Sequence, residues 1–533
     1  MMRPARRSTL LYACVAVVLL TTLVRIAPLL EGGLRLQRQC ISEDGYLMLT
    51  VARNLALGRG FSVSDGLIPS NGSQPLATLL YALCFICASG DKLLGLYPVV
   101  GLQIVVSILA AAILFVYVRK HLYRGHGATT VAILSACLWY ASPTSVLHTQ
   151  NGLETGLYVL LILMTLLLYD IATPRLRAGL CLRWCLALGV ALGITFLARN
   201  DACLLVGATL ATHLILGYRY NRLRQALVQA VLIGATSIAM ASPWLWFNLT
   251  KFGHIVPISG RAEALNVEFA SNLLPACVAV IENSLLVARI PGLVEHHAVT
   301  SAASVLLVLL GLIAACAWRH WLAARFTGGM AILACFVAAL FAYYALFFGM
   351  PSFLGRYFFP ITILCAVIAS AVFSTVASAT RDHPHRALVA VGAIAAAVLC
   401  CGSDLRIYLK GEEHLHSQVV DWVAANVPQD TWVAGVQTGT LGYYHDRTIN
   451  LDGKVDPFAL AARRDGRTHE YLFGRNVEYI VDWAGIAEWA QRPEFARDWR
   501  LILNDQDLNL AVFQLKASAK QSRRPEIPET IAE

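Results

Sequence analysis

Two adjacent carboxylates, Glu43 and Asp44, follow the first long apolar stretch of this 533-residue sequence. An acid held in a low-dielectric site has its charged form disfavoured, so its basicity rises toward neutral pH. Such a carboxylate suits a general base that removes the proton of a sugar or alcohol hydroxyl. The alternative is structural: Ser42 could cap a short amphipathic helix whose first turn the two acids stabilise. Asp44 is therefore a candidate catalytic residue with a structural interpretation beside it.

Three further charged side chains occur where apolar stretches begin or end. Glu154, just after Asn151, lies at the start of one stretch, where it could cap a helix or bind a metal or a substrate hydroxyl. Arg199 and Asp201 enclose a very short turn, and a buried ion pair that braces this turn is the structural alternative.

Cations suited to an anionic substrate occur in later loops. Arg356, followed by Tyr357, lies in a turn between two apolar stretches, and its guanidinium presents a fork of donors that matches phosphate oxygens. The structural alternative is that Arg356 extends toward the membrane surface. Lys251, His254 and Arg261 follow another apolar stretch and are further candidates.

The composition indicates a membrane protein. Hydrophobic residues make up 57% of the sequence and charged residues 14%, whereas soluble domains carry about 25% charged residues. Apolar runs of about 20 residues recur, and each can satisfy its own backbone hydrogen bonds as a helix in hydrocarbon. The net charge of +9 is spread over short loops between these runs, so the sequence does not predict a nucleic-acid partner.

We predict eleven transmembrane helices with the N-terminus in the cytoplasm. The apolar piece Pro75–Ser89 is placed in the outer interface, because the basic residues of the later short loops then all fall on the cytoplasmic side. The predicted spans are 8–26, 94–118, 127–143, 153–172, 182–198, 202–217, 226–247, 299–317, 327–348, 358–379 and 386–402. With this topology Asp44, Glu154, Arg199 and Arg356 all face the external side.

The sequence becomes more polar after residue 402. Short apolar runs at 432–436, 448–451, 479–481, 501–503 and 510–513 predict strands, and helical patterns at 414–426 and 458–473 separate the earlier ones. We therefore predict a transmembrane domain at 1–402 and a small external α/β domain at 403–516. Residues 517–533 are polar and are predicted to form a disordered tail.

In their order and shared side, these motifs resemble the GT-C class of membrane glycosyltransferases, in particular its bacterial mannosyl- and arabinofuranosyltransferase-like members. Segment 43–46 is similar to the acidic first-loop motif, and Gly152-Leu153-Glu154-Thr155 matches a Gly-Met/Leu-Glu-Thr signature. Segment 199–201 resembles Arg-Pro-Asp-Gly, although Asn200 and Ala202 depart from it. Arg261 stands nearest to the lysine that ends a Gly…Pro-Asn-Ser/Thr loop. Segments 72–76, 439–444 and 452–457 resemble further parts of the class.

The resemblance implies a reaction and a set of partners. A sugar would move, with inversion, from a polyprenyl-phosphate donor to an acceptor hydroxyl of a glycan, lipid or protein at the external face of a bacterial inner membrane. Asp44 would be the general base and Glu43 a second catalytic acid. The remaining residues implied in binding the donor phosphate or the substrate are Asn151, Glu154, Arg199, Asp201, Arg261, Arg356 and Tyr357.

The resemblance leaves the metal undecided. Glu43 or Glu154 could position acceptor hydroxyls or hold a divalent ion such as Mg²⁺ or Mn²⁺. No nucleotide cofactor is implied, and the sequence has no phosphate-binding loop of the P-loop or dinucleotide type.

Two other functions fit a multi-pass protein of this kind. A transporter or flippase of lipid-linked glycans would carry charged residues deep among its helices and would work without Asp44. A non-catalytic scaffold for cell-envelope assembly would tolerate alanine in the acidic loop. Both alternatives explain the one-sided acidic motif less well than a transferase does.

Overall fold

A computed structural model describes residues 4–122, 127–265, 267–286, 327–379, 402 and 416–521 of the chain. Up to residue 379 the chain is mainly helical, with a two-stranded hairpin. A five-stranded sheet with flanking helices follows in the C-terminal part. The predicted class, a helical membrane-type protein with a small C-terminal α/β unit, is confirmed at this level.

The helices differ greatly in length. The longer ones are Pro4–Glu31, Glu43–Ala56, Pro75–Cys87, Lys92–Tyr117, Ala128–Ala141, Thr155–Ala178, Leu182–Ala198, Ala202–Arg219, Leu223–Phe252, Leu273–Ser284, Gly328–Leu346, Ile361–Ala379 and Ser417–Asn426. The shorter helical segments are Gly33–Arg35, Leu36–Cys40, Ser64–Gly66, Val118–Leu122, Pro143–Thr149, Ile258–Glu263, Pro351–Phe353, Leu354–Tyr357, Gly439–Tyr444, Pro457–Arg464, Thr468–Gly474, Ala484–Gln491, Pro493–Asp498 and Ala517–Gln521.

Within the described residues, six helices are long and apolar enough to cross a membrane, and two bent helix pairs could raise the number to eight. These bent pairs are Ala128–Ala141 with Pro143–Thr149 and Pro351–Tyr357 with Ile361–Thr375. The predicted span 299–317 lies outside the described residues, and so does 386–402 except for Gly402. The count of eleven spans therefore stays a prediction.

The segment predicted to lie in the interface forms the helix Pro75–Cys87, which has 13 residues. At 1.5 Å per residue such a helix is about 20 Å long, less than the hydrocarbon core of about 30 Å. Its Tyr81 hydroxyl donates a 2.8 Å hydrogen bond to the carbonyl oxygen of Leu153. This short helix therefore holds the loop that carries Glu154.

The C-terminal sheet is mixed. Its strands are β3 (Val433–Gly435), β4 (Thr448–Asn450), β5 (Tyr479–Asp482), β6 (Trp499–Asp505) and β7 (Leu510–Leu515), after β1 (Ser62–Val63) and β2 (Ile68–Pro69) of an earlier two-stranded hairpin. The order is β4-β3-β5-β7-β6, with β3 parallel to β4 and β5, and β7 antiparallel to β5 and β6. Each of the five predicted strands is present.

Two predicted elements of this region differ from the structure. The helical pattern 458–473 is two helices, Pro457–Arg464 and Thr468–Gly474, separated by a turn at 465–467. The predicted tail begins with a helix at Ala517–Gln521, because Ala519 is buried in the core of the C-terminal unit. The rest of that tail, 522–533, lies outside the described residues.

The segment between the first apolar helix and the helix Pro75–Cys87 packs into the C-terminal unit. Val51, Val63 and Ile68 belong to the same buried cluster as Ile449 and Ile480 of the sheet. The β1–β2 hairpin, which the sequence analysis did not predict, supplies two of these residues. Burial of several aliphatic side chains stabilises this contact, at about 1.5–3 kcal/mol for each fully buried side chain. The acidic loop and residues from the 450s are thereby brought together.

Candidate active site

Asp44 lies in the first turn of the helix Glu43–Ala56. The Ser42 hydroxyl caps this helix by accepting a hydrogen bond from the Gly45 backbone N–H. Both the backbone N–H and the hydroxyl of Ser42 donate 3.0 Å hydrogen bonds to the Asn151 carbonyl oxygen. The interpretation of Ser42 as a helix cap is thus correct. The cap fixes the position of Asp44 and leaves the carboxylate of Asp44 free for other contacts.

Two cations lie against the Asp44 carboxylate. Nη1 of Arg356 donates a 2.7 Å hydrogen bond to Oδ2 of Asp44. Nζ of Lys454 lies 3.6 Å from Oδ1 of Asp44. Both cations also contact the Phe353 ring, with the guanidinium carbon of Arg356 4.6 Å and Nζ of Lys454 4.3 Å from its centroid. The result is a carboxylate between two fixed positive charges.

These cations reverse the predicted basicity of Asp44. Burial alone would raise the pKa of Asp44, but the charges of Arg356 and Lys454 outweigh it and hold this pKa below its usual value. The expectation of a raised pKa at Asp44 is therefore wrong. The carboxyl that fits that expectation is Glu263, whose pKa burial raises despite the same two cations.

A second charged cluster surrounds Arg199. Its Nε donates a 3.0 Å hydrogen bond to Oδ2 of Asp201, and its Nη1 lies 3.4 Å from Oε1 of Glu154. The Tyr344 hydroxyl donates a 2.7 Å hydrogen bond to the same Asp201 oxygen. Arg199 is buried. Because a buried charge is costly unless it is paired, the two acids stabilise it. The predicted ion pair that braces this turn is present.

Tyr357 connects the two clusters. The Arg199 guanidinium lies 4.4 Å above the Tyr357 ring, and Tyr344 stacks on that ring with centroids 4.5 Å apart. The Tyr357 hydroxyl accepts a 3.3 Å hydrogen bond from Arg356 and donates to the Glu263 carboxylate at 3.3 Å. Six of the predicted site residues thus form one connected network.

The network lines a cavity of about 480 Å³. The predicted residues that line it are Asp44, Glu154, Arg199, Asp201, Arg356 and Tyr357. Apolar side chains, among them Leu204, Leu245 and Phe348, cover other parts of the wall. The cavity therefore offers acids, cations and an apolar surface to a single ligand.

Glu43, Asn151 and Arg261 do not line this cavity, and neither do the further candidates Lys251 and His254. Glu43 points to the C-terminal unit, where its carboxylate accepts hydrogen bonds from the Gly439 and Thr440 backbone N–H groups and from the Thr440 hydroxyl. Asn151 acts through its carbonyl on Ser42, as described above. Arg261 lies on the short helix Ile258–Glu263 and is partly exposed, near the charge of Arg464.

Two charged residues of the cavity, Glu263 and Lys454, were not predicted. Glu263 lies two positions after Arg261, in a loop where no sequence motif included an acidic residue. Lys454 lies in segment 452–457, which was assigned to the outer domain. The resemblance of segment 452–457 to the glycosyltransferase class was the one sequence feature that could have drawn attention to Lys454. The fold was needed to show that this lysine enters the cavity.

The side chains of the described residues do not fit a divalent metal. Glu43 is occupied by the C-terminal unit, and Glu154 faces Arg199. Asp44 is held by Arg356, and Glu263 accepts from the Tyr357 hydroxyl. In the part of the chain that the structure describes, no group of three or more His, Cys, Asp or Glu side chains could hold a metal ion.

One family model matches the C-terminal part of the chain. A family model described as a domain of unknown function, DUF8728, matches residues 405–524, a range that covers the C-terminal α/β unit. No curated protein matches the chain.

Solved structures resemble nearly the whole chain. ArnT from Cupriavidus metallidurans bound to undecaprenyl phosphate aligns with a TM-score of 0.57 over 96% of this chain and 98% of its own, at 12% identity. The oligosaccharyltransferase AglB from Archaeoglobus fulgidus, in complex with an inhibitory peptide and a dolichol-phosphate, aligns with a TM-score of 0.52 over 89% and 70%, at 11% identity. The Archaeoglobus fulgidus oligosaccharyltransferase in complex with Zn and sulfate gives a TM-score of 0.51 over 89% and 69%, at 11% identity. The chain therefore has the fold of the GT-C membrane glycosyltransferases, as its sequence motifs predicted.

Proposed function

We propose that this protein is a membrane glycosyltransferase that moves a sugar from a polyprenyl-phosphate donor to an acceptor hydroxyl at the external face of a bacterial inner membrane. The observation that carries the proposal is the placement of Asp44 beside Arg356 and Lys454 on one cavity wall. Transfer from a sugar phosphate releases a proton at the acceptor and leaves negative charge on the departing phosphate. A carboxylate next to fixed cations meets both needs.

The reaction follows from these roles. The acceptor hydroxyl loses its proton to Asp44 as its oxygen attacks the anomeric carbon from the side opposite the phosphate. The bond from that carbon to the phosphate oxygen breaks, and its electron pair leaves with polyprenyl phosphate. The configuration at the anomeric carbon is inverted. Arg356 holds the departing phosphate through charge-assisted hydrogen bonds.

The low pKa of Asp44 fits this sequence of events. In the absence of a donor, the positive charges of Arg356 and Lys454 stabilise the ionised form of the Asp44 carboxylate. A phosphate that enters the cavity competes for Arg356, so Asp44 loses part of its stabilising charge. Its basicity then rises when the donor is bound, which is when a base is required.

The rest of the cavity suits the other substrate groups. Glu154 and Tyr344 face the interior and can hydrogen-bond sugar or acceptor hydroxyls. The apolar wall with Leu204 and Leu245 suits the first units of a polyprenyl chain whose remainder lies in the bilayer. ArnT was solved with undecaprenyl phosphate and AglB with a dolichol-phosphate, and these ligands support a lipid-linked donor here.

The direct test uses the purified protein in detergent with a panel of polyprenyl-phosphate sugars and added lipid, glycan and peptide acceptors. Free polyprenyl phosphate and glycosylated acceptor are measured. We expect turnover by the wild type and its loss in Asp44→Asn. The matched control is Asp465→Asn, because Asp465 pairs with Arg464 and Arg467 on the surface of the C-terminal unit.

A second comparison separates Asp44 from Glu263. Both carboxylates line the cavity, and their pKa values are shifted in opposite directions. Glu263→Gln should keep measurable turnover, since Asp44 remains. Wild-type turnover in Asp44→Asn, together with its loss in Glu263→Gln, would move the base to Glu263.

A further inference from the structure

The C-terminal unit reaches the cavity through Lys454. This side chain is 5% exposed and lines the cavity wall next to Asp44. Its Nζ lies 3.6 Å from Oδ1 of Asp44 and 3.6 Å from Oδ2 of Asp452. Within the described residues, no acceptor lies within hydrogen-bond distance of this ammonium. A buried charge with unused donors is costly unless a ligand completes its contacts.

The backbone around Lys454 is held in place by the conformation of Gly453 and by a close contact with Gly72. Gly453 adopts φ +79°, which favours glycine, and the Lys454 N–H donates a 2.9 Å hydrogen bond to Oδ1 of Asp452. The carbonyl of Lys454 packs so closely against Gly72 that a Cβ at Gly72 would collide with it. The loop is therefore fixed between the two parts of the chain, with the lysine aimed into the cavity.

The three cations of the cavity differ in how closely acidic side chains pair with them. Arg199 has two acids within 3.4 Å. Arg356 makes a 2.7 Å hydrogen bond to Asp44. Lys454 contacts its two acids only at 3.6 Å, so neither carboxylate makes a close hydrogen bond to its ammonium. Of these cations, it is the one that an anionic ligand could bind with the least disruption.

We propose that Lys454 of the C-terminal unit binds the phosphate of the polyprenyl-phosphate donor and remains bound to the departing polyprenyl phosphate. This inference rests on the proposed transferase function and goes beyond it, because it makes the C-terminal unit part of the active site. The movement needed is small: the ammonium swings from Asp44 toward a phosphate oxygen in the same cavity.

The test measures the binding of polyprenyl phosphate to the purified full-length protein, with uncharged polyprenol as the comparison ligand. Lys454→Gln should weaken binding of polyprenyl phosphate about 10- to 100-fold, as expected for the loss of a charge-assisted hydrogen bond. Binding of polyprenol should not change. Lys454→Arg should keep most of the affinity. The matched control, Lys520→Gln, removes an exposed lysine of the same unit that pairs with Glu478.

Folding of the variants is checked by size exclusion and thermal unfolding. If Lys454→Gln alone does not fold, the double variant Lys454→Gln/Asp452→Asn removes one acid together with the ammonium and keeps the local charge balanced. It should show the same loss of affinity. Wild-type affinity for polyprenyl phosphate in either folded variant overturns the inference.

The outcomes also separate this inference from the proposed function. If the wild type transfers sugar and Lys454→Gln binds and turns over like it, only the role of Lys454 is lost. If Lys454→Gln loses the lipid phosphate but the wild type transfers none of the sugars, the phosphate site is supported and the transferase proposal fails. If the wild type does not bind polyprenyl phosphate, both fail.

Discussion

Arg356 and Asp44 are 312 positions apart in the sequence, yet the guanidinium of Arg356 donates a 2.7 Å hydrogen bond to the Asp44 carboxylate. The contact joins the helix after the first apolar stretch to the turn before Ile361–Ala379. It sets both the charge state of Asp44 and the place where an anion would bind.

Removing Arg356 should change both rate and pH dependence. Arg356→Gln takes away a cation that would stabilise the departing phosphate, and such losses cost about 10²- to 10³-fold in turnover. The same change raises the pKa of Asp44, because Arg356 is the leading charge that lowers it. Since the ionised carboxylate is the active form, activity falls as pH drops through this pKa. The acid limb of kcat/KM should therefore move to higher pH in the variant.

The measurement is kcat/KM for the donor across pH at one fixed acceptor concentration, which reports the groups of the enzyme before the donor binds. Asp465→Asn serves as the control and should keep the wild-type limb. A variant with lower turnover but an unchanged acid limb would mean that Asp44 is not the titrating base.

Glu43 should affect stability more than chemistry. Its carboxylate accepts hydrogen bonds from the Thr440 N–H at 3.0 Å, from the Gly439 N–H and from the Thr440 hydroxyl. Glu43→Gln weakens these charge-assisted bonds, and we expect a loss of about 1–3 kcal/mol in stability of the contact. The readouts are the unfolding temperature and the rate of proteolysis of the C-terminal unit. A variant with unchanged stability and no turnover would instead support the catalytic role implied by the sequence resemblance.

Gly72 should be intolerant of any side chain. A methyl group there would collide with the Lys454 carbonyl oxygen, so Gly72→Ala must displace the loop that carries Lys454. We expect weaker binding of polyprenyl phosphate, with Asp44 chemically intact. Gly101→Ala is the matched control, because a Cβ at Gly101 meets nothing within 4 Å. Equal affinities of the two variants would show that the loop can move without cost.

Removal of divalent ions should leave turnover unchanged. The cavity acids face Arg356, Arg199 or the Tyr357 hydroxyl, and the cations supply the positive charge that a metal would bring. The measurement is donor turnover after dialysis against EDTA. Loss of activity that Mg²⁺, Mn²⁺ or Zn²⁺ restores would contradict this prediction and would point to a metal bound together with the substrate.

Much of the cavity was predictable from local sequence. Asp44, Glu154, Arg199 and Arg356 stand at the ends of apolar stretches, where a charged residue is expensive and therefore conspicuous. A common external side was predicted from the distribution of basic residues between the stretches, and the structure shows that all four side chains line one cavity. The five strands of the C-terminal unit were equally local, because β-branched and aromatic runs of strand length mark them.

The tertiary structure decided which of these residues meet and what surrounds them. Lys454 could not be found by pattern, because its place in the cavity depends on the contact that Val51, Val63 and Ile68 make with the C-terminal unit. The direction of the Asp44 pKa shift depended on the same contact and on Arg356, since burial and charge act in opposite senses and only distances tell which prevails. Glu43 and Asp44 are neighbours in the chain, yet successive side chains of a helix point about 100° apart, and the fold directs one to the C-terminal unit and the other to the cavity.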